Sequence, residues 1–102
     1  MRETLTIRIT ERNQFDGARP PLRAGDVAHV VRCERDEELH ADRIYWVYHV
    51  HEDALVEMLF ARVVADQGRI VFALHRGTII SPDDVVVAGI LSSSDHQNSL
   101  NR

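Results

Sequence analysis

A mainly β fold, arranged as a small coiled antiparallel sheet or barrel, is what this sequence predicts. Three observations carry the prediction: runs in which apolar and polar residues alternate, a concentration of Val, Ile, Thr, Tyr and Trp in those runs, and turn signals at short spacing between them. The 102 residues are 44% hydrophobic, enough for one modest core and one domain. That domain is expected over residues 1–91, with 92–102 as a flexible, polar C-terminal tail.

Leu5, Ile7 and Ile9 alternate with Thr4, Thr6, Arg8 and Thr10, which makes a first strand. Glu11 to Gly17 is polar, carries Asn13 and Asp16-Gly17, and reads as a loop. Arg19-Pro20-Pro21-Leu22-Arg23-Ala24-Gly25-Asp26 follows as a rigid elbow, in which two prolines of fixed φ and a Gly-Asp turn deliver the backbone into an apolar run. That run, Asp26 to Arg32, is a second strand with Val27, His29 and Val31 on one face and Ala28 and Val30 on the other. Apolar residues on both faces place it inside the sheet. Glu34 to Asp42 is a charged, solvated connection.

Arg43 to His51 is strongly β, with Ile44, Trp46, Tyr48 and Val50 on one face and Tyr45, Val47, His49 and His51 on the other. The face bearing Trp46 is expected to pack the core, leaving Tyr45 on display beside His49 and His51. Glu52-Asp53-Ala54 then turns the chain into Leu55 to Ala65, whose length would also suit a helix. Strand is the better reading, because Asp66-Gln67-Gly68 is a hairpin signal followed at once by the β-rich Arg69 to Leu74. His75-Arg76-Gly77 and Ser81-Pro82-Asp83-Asp84 turn the chain twice more. Val85 to Leu91 is a last strand, apolar on both faces and so buried or paired in an interface.

The net charge of -4 arises from 16 acidic and 12 basic residues, and every one of the latter is arginine. Without lysine there is no lysine base, no Schiff base and no phosphate-loop lysine. Scattered arginines on an acidic chain also argue against a nucleic-acid-binding face. The single Cys33 rules out an internal disulfide and reads as a spare thiol at a strand end. Met1 to Thr10 mixes charge with alternating polarity, unlike a secretory signal, and no apolar run approaches the ~20 residues of a membrane span. A cytoplasmic protein without a membrane partner is expected.

The elbow resembles the active-site elbow of the LexA-type self-cleaving repressors, Gly-Asp-Ser-Met-x-Pro-x-Leu-x-x-Gly-Asp, at Pro20, Leu22, Gly25 and Asp26. Further along, Arg43-Ile44-Tyr45-Trp46-Val47, Ala61-Arg62-Val63, Gly68-Arg69-Ile70 and the run from Asp84-Val85 to Gly89-Ile90 are similar, in order, to later segments of that peptidase domain. The resemblance covers Leu5 to Leu91 and implies the same β fold. It places the nucleophilic serine at Gly17, the next methionine at Ala18 and the lysine base at Ala61, so the Ser-Lys dyad is missing. The residues Glu11 to Phe15 also depart from the pattern. Gly17 is left with backbone freedom as its expected asset. The family's DNA-binding domain has no counterpart in this chain.

What the resemblance implies is a pseudopeptidase: no enzyme, no cofactor, but a protein-interaction module of the kind that regulates or inhibits a protein partner; its small size and stand-alone form add the expectation of a phage or mobile element. Tyr45, His49 and His51 are its candidate partner-binding residues. Val85, Val87 and Ile90 are candidates for a homodimer interface along the closing strand. Two alternatives stay open. His49 and His51, at i and i+2 on one strand face, could share a metal in a small β-barrel enzyme with Glu52, Glu57 or His75 as further ligands. An SH3-like barrel could instead bind peptide or nucleic acid through its rim.

Overall fold

The structure is a computed structural model and describes residues 2–96. Among these, seven strands are formed: β1 Thr4–Arg8, β2 Val27–Arg32, β3 Ile44–Val50, β4 Val56–Asp66, β5 Arg69–Ala73, β6 Ile79–Ile80 and β7 Val85–Asp95. They make one antiparallel sheet in the order β1-β2-β7-β3-β4-β5-β6. β1 and β6 are free edges, so the sheet is open and the barrel alternative falls away. No helix among the described residues is long and apolar enough to cross a membrane.

Local chemistry accounts for most of this. β4 is a strand over its whole length, and it turns into β5 through Gln67 and Gly68, whose φ angles are 52° and 77°. Two consecutive positive φ values are the requirement of a type I′ hairpin, and glycine meets it without cost. β6 is only two residues long, paired to Phe72 and Ala73, and is too short to carry a pattern of its own.

The closing strand departs most from expectation. β7 runs on to Asp95, so Ser92, Ser93 and Ser94, predicted as tail, are strand residues, the last two paired with β2. Their polarity misleads because β7 is bulged: the register slips once between His29 and Val30 of β2, and once between Trp46 and Val47 of β3. Ser92 is the extra residue at the first slip, and its hydroxyl donates to the His29 carbonyl at 3.0 Å. The predicted tail beyond residue 96 lies outside the described residues.

Two core clusters sit on opposite sides of the sheet. Tyr45 and Trp46 are consecutive in β3 and therefore point opposite ways, and each belongs to a different cluster. The first holds Ile9, Phe15, Ala18, Leu22, Ala28, Val30, Trp46 and Phe60, with the Trp46 and Phe60 rings 4.7 Å apart. The elbow is its lid. Phe15 and Leu22 exchange both backbone hydrogen bonds at 2.9 Å, and the buried Asp26 carboxylate accepts from the Arg23 N–H at 2.8 Å and pairs with His96. The second cluster is Tyr45, Val47, Ala61, Val63 and Phe72, with Leu39, Leu74, Ile80, Val85, Val87 and Ile90 packed against it.

The far end of the elbow is tied down across the sheet. The Asp16 N–H donates to His75 Nδ1 at 3.2 Å, and the Arg76 N–H donates to Asp16 Oδ1 at 3.0 Å. That backbone donation holds the Asp16 carboxyl below its usual range, with the nearby His75 helping and desolvation opposing. A depressed carboxyl stabilises the fold above the unfolded value, about 3.9, and the contribution fades as pH falls through the folded value. Asp16→Asn should therefore flatten the acid limb of a melting-temperature profile below about pH 4 and leave neutral pH lower by less than about 1 kcal/mol, since the pair is solvent-screened.

Candidate functional site

The end of the β3–β4 hairpin carries the chemistry. Its register sets Tyr48 opposite Met58, His49 opposite Glu57 and Val50 opposite Val56. The loop closes with His51 N–H to the Leu55 carbonyl at 2.8 Å and Ala54 N–H to the His51 carbonyl at 2.9 Å, with Ala54 at φ 67°. Because side chains alternate, this hairpin end has two different faces.

One face is polar. His51 Nε2 lies 2.5 Å from Glu57 Oε1, and the His49 and His51 ring centroids are 4.2 Å apart. One ligand-type atom from each of His49, His51 and Glu57 lies within 4.8 Å of the others. His49 Nδ1 is buried and has no hydrogen-bond partner among the described residues. Beside them opens a cleft of about 330 Å³ lined by His49, Val50, His51, Glu52, Asp83 and Asp84. The two aspartates arrive because β7 pairs with β3, bringing the Pro82–Asp84 turn alongside the histidines.

The other face is apolar. Tyr48, Val50, Val56 and Met58 share it with Val86, which β7 sets opposite Tyr48. The elbow covers Trp46 and Phe60 one pleat earlier. Beyond it, Val50, Val56, Met58 and Val86 are 39% to 55% exposed.

The predicted residues divide accordingly. His49 and His51 meet, and Glu57 joins them, while Glu52 lines the adjacent cleft. His75 does not; it is occupied at the elbow. Tyr45 is not a surface residue: it is 2% exposed in the second cluster and its hydroxyl accepts the His40 N–H at 2.9 Å. The connection before β3 folds back over this face with Leu39, so both faces of early β3 are covered. Val85, Val87 and Ile90 also pack against that second cluster, and β7 is paired with β3 over Val85 to Ile90 and with β2 over Gly89 to Asp95. These three side chains are partly buried against their own core, and the exposed side chain between Val85 and Val87 is Val86. Val87→Arg should accordingly lower stability, on the order of 2 kcal/mol in urea unfolding, whatever the size of the protein in solution.

Cys33 is half-buried, and burial pushes its thiol up, away from the thiolate a nucleophile needs. Gly17 has a tighter role than backbone freedom. A Cβ there would lie 2.5 Å from the Phe15 ring, so the position where the resemblance places a serine is closed by the core. Ala61, where it places the lysine, is buried in the opposite cluster.

Sequence reasoning missed Asp83, Asp84 and the exposed apolar face. The alternation of Tyr48, Val50, Val56 and Met58 was the available signal for the face, but which end of it the elbow leaves open depends on tertiary structure. Set against protein-family models, curated proteins and solved structures, the chain matches none.

Proposed function

We propose that this protein is a non-catalytic interaction module that works as a homodimer, joined through the open sheet face of Tyr48, Val50, Val56, Met58 and Val86. The observation that carries the reading is that these five side chains are contiguous across β4, β3 and β7, carry no charge, and have no covering element among the described residues. A second copy is the occupant that fits. An isologous contact needs only a patch complementary to itself, and a patch without charge sets no like charges of the two acidic chains against each other at the contact. Two such faces stack as the layers of a β-sandwich, about 10 Å apart.

The non-catalytic part of the reading rests on the missing Ser-Lys pair, with no lysine in the sequence and Gly17 closed by Phe15. The resemblance to LexA-type peptidase domains belongs to the same proposal, as does a regulatory role toward another protein. Sedimentation across a hundredfold range of concentration tests the dimer. The expected result is a dimer that Val86→Arg and Met58→Glu each convert to a folded monomer, because both side chains are exposed in the single chain. A wild-type protein that stays monomeric throughout overturns the proposal.

A further inference from the structure

On the opposite face of the same hairpin, we propose a binding site for one zinc-class divalent metal ion, with His49, His51 and Glu57 as protein ligands and a remaining position open to the cleft beside them. The donor set is two imidazoles and a carboxylate, which suits zinc and its neighbours in the first transition series and disfavours magnesium, a cation that prefers an oxygen shell.

Strand geometry does the positioning. His49 and His51 are i and i+2 in and just beyond β3, hence on one face, and the register fixes Glu57 directly across from His49. Zinc–nitrogen bonds of about 2.0–2.1 Å put tetrahedral ligand atoms about 3.4 Å apart. The three donors already lie within 4.8 Å of one another, so side-chain rotation closes the difference without moving the ladder. His51 and Glu57 must separate from their 2.5 Å contact as the metal enters between them. His49 contributes a ring whose buried Nδ1 is committed to no hydrogen bond among the described residues.

The surroundings favour a cation as well. Glu52, Asp83 and Asp84 line the cleft next to the two imidazoles and raise the local concentration of positive ions. The cleft leaves room for water or a small ligand at the open position, the arrangement of a metal that can exchange its outer ligand.

The test uses the full chain stripped with chelator and titrated with zinc by calorimetry and with cobalt(II) by visible absorption. One ion per chain is expected, with a melting temperature that rises with zinc and not with magnesium. His49→Ala, His51→Ala and the nearly isosteric Glu57→Gln should each weaken zinc binding at least about tenfold. His29→Ala, on β2 beside Asp95, should leave it unchanged. Three results overturn the proposal: no saturable zinc binding up to millimolar concentration, zinc binding indifferent to His51→Ala, or equal stabilisation by magnesium, which would assign the effect to the carboxylates alone.

Discussion

Gly89→Ala should destabilise this protein by at least about 3 kcal/mol, the upper end of what overpacking costs. Gly89 is buried in β7, paired with Trp46 on one side and Arg32 on the other. A Cβ at this position would stand 2.3 Å from Val30 Cγ1 and 2.8 Å from the Val31 carbonyl oxygen. The Val30 methyl could rotate only into the first cluster, where Val30 is fully buried, and the carbonyl belongs to the backbone of a central strand. Neither can yield without opening the β2–β7 ladder. Urea unfolding followed by the single Trp46 is the measurement, since that ring lies beside the altered position. An unchanged midpoint would mean that the β2–β7 register is not the one described.

The strands were largely legible because one-sided burial writes itself as alternation. In β1, Leu5 and Ile7 are partly buried while Thr4, Thr6 and Arg8 are exposed, as the pattern implies. Legibility failed where alternation does not report the environment. Tyr45 looked displayable because His49 and His51 share its face, yet Leu39 covers the first half of that face and not the second. Ser92 to Ser94 looked like tail because the end of β7 runs past β3 and pairs with β2 alone, where a bulged strand tolerates polar residues. Val85 and Val87 were singled out for an interface, and the exposed position lies between them at Val86, since a strand apolar on both sides does not reveal which side its own core takes.

The candidate metal site shows the same division. The spacing of His49 and His51 was sufficient to pair them, and Glu57 was one of several acidic candidates. Choosing it required the hairpin register, which depends on a loop of ordinary residues with Ala54 at positive φ. Asp83 and Asp84 are some thirty residues away in sequence and arrive only because β7 inserts between β2 and β3. No local pattern encodes a strand order of that kind.

Phe15→Ala is expected to have the larger effect, a loss of about 3–5 kcal/mol, as for other fully buried aromatic side chains. For a domain whose whole stability is of the order of 5–15 kcal/mol, that removes about a fifth or more. The residue is 1% exposed and belongs to the lid rather than to the sheet, so its loss empties the centre of the first cluster and frees the elbow. The elbow's backbone exchange with Leu22 and its exposed tie from Asp16 to the His75–Gly77 turn would remain, but each hydrogen bond contributes only about 1 kcal/mol. Gly17 supplies the control. Gly17→Ser places a Cβ against the same ring and should itself destabilise, whereas in a Phe15→Leu background the side chain has space. The double variant should then cost about 1 kcal/mol or more less than the sum of the two single changes, the coupling expected of residues in direct contact. Additive costs would show that Gly17 and Phe15 do not touch, and the steric reason for the absence of a serine at this elbow would fail with them.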